Sequence, residues 1–568
     1  MKNILSKYWM VMVLILLLAI NYLASLVHFR IDLTKEKRYT LSAPTKKLLR
    51  SLKEPVSITV YLAGDLPAGF RKLSNSAEEL LDEFREISGN RIFFKFEKPG
   101  EGLDDSAKAR LIDSLNMIGI SPTNVKAQLK SGESQQEQLV YPGAVISRGD
   151  QMLGIDLLKG QSYEGGLSSL NKAEALLEYK FASAIQKVMV DTLPTVRYVV
   201  GNGEPLSYNV YDLIERTLKG NYDFDFLLLD SFSFIPNRFD ALVIVKPSVK
   251  FTDAQKLKLD QYVMHGGKII WLIDQLYAEM DSLQRSEGEF VAFDRGLNLE
   301  DILFKYGVRI NQDLVQDLQC EKVPLVVGSM GNQPQVEFLP FPYFPLLSAY
   351  SNHPISKNMD NVLSVFPNSI DTIRSPGIRK TVLLATSNHS RVLSTPAMVS
   401  WNSTRVEENE KTYNKSQIPV AMLLEGKFNS LYANRVSQQT RDSLASYYKH
   451  PFLPATPFEN KMIVISDADI VMNVVTQKEG PLFMGMHQFN KYQYANKDFF
   501  LNCLEYLTNP VGILQARSKD YTLRLLDSTS VEEKRGFWQL FNIGLPIVLI
   551  ALFGLLFAWI RKRKYSSP

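Results

Sequence analysis

Residues 241–273 read ALVIVKPSVKFTDAQKLKLDQYVMHGGKIIWLI, and this stretch decides the fold class. The segments at its two ends are almost wholly apolar, which is typical of strands that are buried on both faces. Between them, Thr252-Asp253 is a helix-start signal and His265–Gly267 is a helix stop, so the pattern predicts a helix over 252–264. Two strands joined by such a helix run parallel. We therefore predict an α/β protein whose parallel sheet is covered by helices on both sides.

The same alternation continues on either side of this stretch. Val196–Val200 is predicted to be a strand that leads into a Gly-rich turn, and a helix is predicted over 211–218. Lys461–Ser466 is a later apolar strand, and a helix is predicted over 497–508. The alternation of predicted strands and helices becomes irregular between residues 278 and 457. We interpret this region as a large insertion with some β character.

Polar residues follow several of these strands at the point where each strand ends. Ligands of open parallel sheets bind outside the carboxyl ends of the strands, so we expect one crevice there. The residues predicted to line it are Gly201, Asn202, Gly203, Glu204, Asp274, Asp467 and Asp469. The glycines would let backbone N–H groups approach a ligand, and the carboxylates could hold a divalent ion or act on a proton. The alternative is that all seven are ordinary turn and cap residues.

A second, smaller α/β domain is predicted on the N-terminal side. Its predicted elements are strands at 56–62 and 91–97, a helix at 74–87 capped by Ser76, a hairpin with strands at 139–147 and 152–158, and a connecting helix at 170–190. The strand–helix–strand order at its start again predicts parallel strands.

Two apolar segments lie at the ends of the chain. Tyr8–Phe29 and Phe537–Ile560 contain no Asp, Glu, Lys or Arg, and each is long enough to cross a bilayer as a helix. Lys and Arg collect on cytoplasmic flanks, and here Lys2, Lys7 and the basic run 561–564 lie outside the two segments. We expect two spans, both termini in the cytoplasm, and a body of about 500 residues on the other side. The alternative for the first segment is a cleaved signal peptide.

Composition and motifs exclude several classes of function. Six of the 64 Lys and Arg residues lie in the flanks, which leaves 58 basic residues against 60 acidic ones in the body. A nucleic-acid binder would show a basic surplus. The sequence has no G-x-x-x-x-G-K-[ST] loop, no G-x-S-x-G elbow, no H-E-x-x-H and no Cys/His cluster with zinc spacing. We therefore expect no catalytic residue, no metal and no cofactor.

Several blocks along nearly the whole chain resemble one family, the GldG family of gliding-motility-associated ABC-transporter auxiliary, or substrate-binding, components. The blocks are Arg30–Thr34 with Arg38–Ser42, Tyr179–Val188 leading into Tyr198–Pro205, His353–Ile355, Pro419–Gly426, Val464–Asp469 and Asn496–Leu507. Their order, with one apolar segment at each end, carries the resemblance. The turn that is commonly Gly-His-Gly-Glu in this family has Asn202 in place of the histidine.

The resemblance implies partners and a location. Members of the family accompany a multi-span ABC permease and a separate cytoplasmic ATPase in bacteria with an outer membrane, which would place the body in the periplasm. Their central domain resembles the glutamine-amidotransferase-like fold without its catalytic Cys and His.

These observations predict a layout and a function. The predicted segments are a transmembrane anchor at 1–29, a small α/β domain at 30–190, a sheet domain at 191–510, a stalk at 511–536, a second transmembrane helix at 537–560 and a basic tail at 561–568. The predicted function is a non-enzymatic, inner-membrane subunit of an ABC complex associated with gliding motility or export of surface components. The alternatives are a membrane-anchored enzyme that uses carboxylates or a metal, and an envelope scaffold without ligand.

Overall fold

The computed structural model divides into two units, residues 1–520 and 521–568. It describes residues 15–18, 40–120, 122–127, 136–158, 167–190, 192–285, 288–330, 333–405, 409–446, 449, 451–488, 491–509, 512–518 and 528–565. The predicted first span, Tyr8–Phe29, lies outside the described residues except for 15–18, which are helical.

The N-terminal part of the first unit is a four-stranded sheet with helices. Its elements are α1 (Ala43–Ser51), β1 (Val56–Val60), α2 (Ala68–Ile87), β2 (Ile92–Phe96), α3 (Asp105–Met117), β3 (Thr123–Ala127), β4 (Gln136–Val140), β5 (Gly143–Arg148), β6 (Gln151–Asp156) and α4 (Leu167–Met189). The sheet order is β2-β1-β5-β6, while β3 and β4 form a separate hairpin. Strands β1 and β2 are parallel, as the strand–helix–strand pattern predicts, and β5 and β6 form the predicted hairpin.

Two details of the N-terminal prediction are wrong. Helix α2 begins after Pro67 rather than at Ser74, and Ser76 lies within it rather than at its cap, because the buried Phe70 and Leu73 extend its apolar stripe toward the N-terminus. The single strand predicted at 139–147 is two strands in different sheets. Pro142 stands between them, and a proline cannot donate a ladder hydrogen bond.

The remainder of the first unit is built around a ten-stranded sheet, with several sheets of two or three strands beside it. Its region begins with β7 (Thr195–Val200), a π-helix (Asp212–Leu218), α5 (Lys219–Asn221), β8 (Asp223–Leu228), β9 (Ala241–Val245), α6 (Asp253–Met264) and β10 (Lys268–Leu272). It continues with β11 (Leu276–Tyr277), α7 (Met280–Arg285), β12 (Glu289–Asp294), α8 (Glu300–Tyr306), β13 (Val308–Ile310), β14 (Asp313–Asp317), β15 (Cys320–Met330), β16 (Gln333–Ala349) and β17 (Val362–Leu363). It ends with β18 (Ile370–Thr372), β19 (Ile378–Ala385), β20 (Ser390–Ser394), β21 (Ala397–Ser400), β22 (Pro419–Gly426), α9 (Gln438–Ser446), β23 (Asn460–Ile465), β24 (Val475–Thr476), β25 (Gly480–Pro481) and α10 (Asn496–Thr508).

The large sheet is mixed, which corrects the prediction of a parallel sheet. Its order is β15-β16-β19-β22-β23-β10-β9-β7-β8, and β17 pairs with β16. The strands from β8 to β23 in this order are parallel to one another, but β22 pairs antiparallel with β23 and β19 antiparallel with β22. A run of apolar residues shows that a strand is buried but does not give its direction, so the pattern cannot reveal these reversals.

Helices cover both faces of the parallel strands. On one face, the α10 residues Phe499, Phe500 and Leu504 pack in a core with β9, β10 and β23. On the other face, Leu259 and Val263 of α6 pack in a second core around Trp271. This burial agrees with strands that are apolar on both sides. Strands β7, β9, β10 and β23 are parallel, so their carboxyl ends lie at the same edge of the sheet. The segments that follow these strands therefore lie at that edge.

The second unit contains α11 (Ser528–Tyr565). Its segment Gly536–Arg563 has 28 residues and is long and apolar enough to cross a membrane. The most apolar part of this segment is not buried against the rest of the structure. This agrees with the predicted C-terminal span in length and composition.

Candidate functional site

Three carboxylates meet at the carboxyl edge of the parallel strands. Asp274 follows β10, and Asp467 and Asp469 follow β23. One oxygen atom from each of the three lies within 4.8 Å of the others. The sequence predicts that these three residues share a crevice, and the structure brings them together. Their role as ligands for a bound molecule stays a prediction.

Lys246 bridges two of these carboxylates, Asp274 and Asp469, and is not among the residues predicted from the sequence. Its Nζ lies 3.0 Å from Asp274 Oδ2 and 2.8 Å from Asp469 Oδ1. Lys246 directly follows β9 and has a left-handed backbone with φ of 44°. Its backbone N–H donates to the carbonyl of Leu272 on the neighbouring strand. A lysine directly after a wholly buried strand is the only signal that could have found it. We refer to Lys246, Asp274, Asp467 and Asp469 together as the Lys–Asp cluster.

Asp467 is fully buried and acts as an acceptor for three donors. Its Oδ2 accepts from the hydroxyl of Ser364 at 2.5 Å and from the backbone N–H of Val365 at 2.7 Å. Its Oδ1 accepts from the backbone N–H of Asp469 at 2.8 Å. Asp467 therefore ties the segment after β23 to the segment after β17.

Burial and mutual repulsion set the charges of the cluster. Burial, with Asp469 and Asp274 nearby, raises the pKa of Asp467 well above its ordinary value. Burial raises the pKa of Asp469 to about 6, although Lys246 acts in the opposite direction. Burial alone would lower the pKa of Lys246, but Asp274 and Asp469 raise it above its ordinary value, so the lysine stays charged.

The Lys–Asp cluster is satisfied by its own partners. Asp274 Oδ1 accepts from the backbone N–H of Ala468 at 2.6 Å, and Lys246 is paired with both oxygens of Asp469. Five of the six carboxylate oxygens thus accept a hydrogen bond within the described residues, and the sixth, Asp274 Oδ2, has only the ion pair with Lys246. Carboxylate oxygens are suitable ligands for a hard cation such as Mg²⁺ or Ca²⁺, but here the ammonium of Lys246 already supplies the positive charge. The arrangement is that of a buried ion-pair network.

The predicted Gly201–Glu204 turn lies at the same edge but is bonded to other groups. The carbonyl of Asn202 accepts from the backbone N–H groups of Ser248 and Val249, and its side-chain amide donates to Gln255 at 3.2 Å. Gly203 has φ of 78°, and a Cβ there would lie 2.1 Å from the hydroxyl oxygen of Ser248. Glycine is therefore required at this position for the turn to close. Among the residues that the structure describes, no hydrogen bond joins the turn to the Lys–Asp cluster.

Glu204 gives the turn a titratable group. The side chain is 7 % exposed, and its Oε2 accepts from the backbone N–H of Asn202 at 2.8 Å. Its Oε1 has no hydrogen-bond partner among the described residues. Burial raises the pKa of Glu204 from 4.5 to about 7, although the backbone N–H groups of the turn lower it.

This pKa predicts a pH-dependent stability. Because the pKa is raised in the folded state, the contribution of Glu204 is fully present below about pH 4.5 and is lost as the pH rises through about 7. We expect the thermal midpoint of the full chain to fall between pH 5 and pH 8. The thermal midpoint of the variant Glu204→Gln should fall less over this pH range than that of the wild type. At pH 8 the variant should be more stable than the wild type. Glu101→Gln replaces an exposed carboxyl and is the control; its thermal midpoint should depend on pH as that of the wild type does. The same pH dependence in Glu204→Gln as in the wild type would contradict a raised pKa of Glu204.

Comparisons with known proteins identify two regions of the chain. Residues 193–503 match a family described as an ABC-type uncharacterized transport system, and residues 35–147 match a domain of unknown function. An uncharacterized protein of Borreliella burgdorferi is 21 % identical over 431 residues, which are 73 % of this chain and 76 % of that protein.

Two solved structures show only remote likeness. The N-terminal domain of mmIFT52 is 14 % identical with a TM-score of 0.30, and the match covers 56 % of this chain and 97 % of that one. An exo-β-1,4-mannosidase from an Opitutaceae bacterium is 11 % identical with a TM-score of 0.18, over 85 % and 55 % of the two chains. Neither carries an argument about fold or function. The transport-system match, by contrast, covers more than half of the chain, and the protein therefore belongs to this family of ABC-transporter auxiliary components.

Proposed function

We propose that the protein is a non-enzymatic subunit of an ABC transport complex in the inner membrane of a bacterium, with its main body in the periplasm. The observation that carries the proposal is the family match over residues 193–503 in a chain that also has an apolar 28-residue helix. Further, we propose that the complex serves gliding motility or the export of surface components, for which the resemblance of the sequence blocks is the support. Purification of the chain from native membranes without a permease or an ATPase would contradict the proposal.

The partners follow from what the chain lacks. An ABC transporter hydrolyses ATP, and a P-loop with its lysine is the usual phosphate cradle. This sequence has no such motif, so the nucleotide chemistry belongs to another chain. A cytoplasmic ATPase and a multi-span permease are the partners that we propose, with the apolar helix α11 docked against the permease. The periplasmic body would then respond to ATP-driven motion through this helix.

The hydrogen bonds and ion pairs within the Lys–Asp cluster support a structural rather than a catalytic role for its carboxylates. A general acid or base needs an oxygen that can reach a substrate, and a metal site needs oxygens that are available to the metal. Here Asp467 is fully buried, and all its oxygens accept from protein donors. The turn at Gly201–Glu204 is held by hydrogen bonds to neighbouring groups, with Glu204 Oε1 the one buried carboxylate oxygen of the turn that lacks such a bond among the described residues. Binding of a small molecule to the carboxylate of Asp467 would first require some of its hydrogen bonds to open.

The proposed layout predicts opposite labelling of two cysteine positions. Met117 is 86 % exposed on α3, and Ser567 lies in the basic tail. In a background carrying Cys320→Ala and Cys503→Ala, we expect Met117→Cys to react with a membrane-impermeant maleimide on spheroplasts. Ser567→Cys should react only after the membrane is permeabilised, because basic flanks remain in the cytoplasm. The reverse pattern, or equal labelling of both positions before permeabilisation, would contradict the periplasmic body.

A further inference from the structure

Three segments of the chain form one exposed apolar surface beside the large sheet. Tyr208 is 68 % exposed and Phe483 is 44 % exposed, and the side chains of Leu206, Val474 and Val475 are exposed as well. Contiguous exposed apolar side chains of this kind mark interaction sites on folded domains. We refer to these five residues together as the aromatic surface.

Hydrogen bonds hold the three segments of the aromatic surface together. The side-chain amide of Asn473 donates to the carbonyl of Tyr208 at 2.9 Å, and its oxygen accepts from the backbone N–H of Asp212 at 3.1 Å. The backbone N–H of Leu482 donates to the carbonyl of Val474 at 2.9 Å. The surface is therefore preformed, so a partner binds it without the entropy cost of ordering these segments.

An arginine contacts the rings at the aromatic surface. The guanidinium of Arg216 lies over the ring of Phe483 at 4.7 Å and over the ring of Tyr211 at 5.3 Å. Its Nη1 lies 3.7 Å from the fully buried carboxylate of Asp212, which is beyond hydrogen-bond distance. The side chain is 39 % exposed and donates no hydrogen bond within the described residues. The rings thus fix the guanidinium, while its N–H groups stay available to an acceptor from outside.

A carboxylate is the acceptor that fits Arg216 best, because its two oxygens match the planar donor set of a guanidinium. Asp212 lies closer to Lys497, at 3.3 Å, than to Arg216, so it compensates the charge of the arginine only in part. Both Asp212 and Arg216 belong to the π-helix, a rare form that occurs frequently at functional sites. A partner for this surface therefore combines a carboxylate with apolar groups.

Exposed charges beside the aromatic surface occur in pairs of opposite sign. Glu215 pairs with Lys219 at 2.6 Å, and Glu479 pairs with Lys491. An apolar centre with Tyr and Arg and a polar rim is the anatomy of a protein–protein interface. An anionic bilayer would instead be held by a cluster of Lys and Arg, and neither residues 206–219 nor residues 473–484 contain one. These charges favour a protein as the partner.

We propose that the aromatic surface and Arg216 together dock a segment of another protein that presents an Asp or Glu side chain between apolar side chains. The carboxylate of this segment accepts from Arg216, and its apolar side chains cover Tyr208 and Phe483. The proposal does not depend on a permease or an ATPase, so its test and that of the transport role can fail separately.

The test pans a phage-displayed library of random dodecapeptides against the full chain in phosphatidylcholine nanodiscs, with empty nanodiscs for counter-selection. We expect the enriched peptides to share an Asp or Glu flanked by apolar residues, and a synthetic copy to bind saturably in calorimetric titration. No enrichment, or enriched peptides without an acidic residue, would overturn the proposal. Binding of these nanodiscs to phosphatidylglycerol vesicles, or a dimer of the chain, that is lost in Arg216→Gln would assign the surface to another occupant and overturn it too.

Two pairs of variants locate the peptide on the surface. Arg216→Gln and Tyr208→Ala should each bind the enriched peptide about tenfold more weakly than the wild type. Arg309→Gln and Tyr350→Ala replace exposed residues of the same types elsewhere and should bind as the wild type does. Because Tyr208 is exposed, Tyr208→Ala should keep the wild-type thermal midpoint. Unchanged binding by either Arg216→Gln or Tyr208→Ala would place the peptide elsewhere and overturn the proposal.

Discussion

Replacement of Lys246 by methionine is expected to lower the free energy of unfolding by about 3–5 kcal/mol. The lysine side chain is 11 % exposed and pairs with Asp274 and Asp469 at 3.0 and 2.8 Å. Methionine keeps most of the length of the side chain but removes its charge, so the buried Asp274 and the partly buried Asp469 lose their counter-ion. Chemical unfolding of the full chain in detergent, followed by circular dichroism, measures the change.

Two further variants separate charge from packing at Lys246. Lys250→Met makes the same replacement at an exposed position of the same loop and should change the stability by less than about 0.5 kcal/mol. The double variant Lys246→Met with Asp469→Asn removes one carboxylate together with the lysine, and we expect it to regain part of the lost stability. An effect of Lys246→Met no larger than that of Lys250→Met would contradict a buried ion-pair network.

Replacement of Asp467 by asparagine is expected to destabilise the protein by about 3 kcal/mol. Asp467 accepts from Ser364, Val365 and Asp469, and its two oxygens serve all three donors. An asparagine has one oxygen, so in either orientation its NH₂ group faces at least one buried donor. Equilibrium unfolding of the full chain measures the loss.

Ser364→Ala is the matched control for Asp467→Asn. It removes one of the three hydrogen bonds without placing two donors against each other, so we expect a loss of only about 1 kcal/mol. The enzyme alternative makes the opposite prediction for Asp467→Asn, namely loss of function in a protein of unchanged stability. Wild-type stability of Asp467→Asn would therefore contradict the structural role and revive that alternative.

The sequence predicts the buried strands well because their apolar runs are unambiguous. Ala241–Val245 and the capped helix of residues 252–264 appear almost as predicted, and the capping box at Thr252 explains the accuracy of the helix start. The predicted helix over 211–218 is a π-helix at Asp212–Leu218, and periodicity over so few residues does not separate the two. The irregular region predicted at 278–457 contributes β16, β19 and β22 to the large sheet. Those pairings depend on partners far away in the sequence.

The candidate site is also predictable only in part, because some of its residues follow recognisable strands and others depend on which strands are neighbours. Asp274 and Asp467 follow apolar strands, so the rule for strand ends is enough to predict that they lie together. Lys246 follows an equally apolar strand, but one lysine in a loop is usually solvated. Its role depends on β9, β10 and β23 being neighbours, which the sequence does not reveal.

Co-purification from native membranes tests the proposed auxiliary role most directly. The full chain, tagged after residue 568, is extracted in mild detergent, and its bound proteins are identified and quantified by mass spectrometry. The matched control replaces residues 537–560 with a polyleucine segment of the same length, which preserves membrane insertion but not the specific face of α11. We predict that the wild-type chain retains a multi-span permease and a P-loop ATPase in a fixed ratio, and that the control retains less of both. Recovery of the chain alone, or with envelope proteins only, would contradict the proposal.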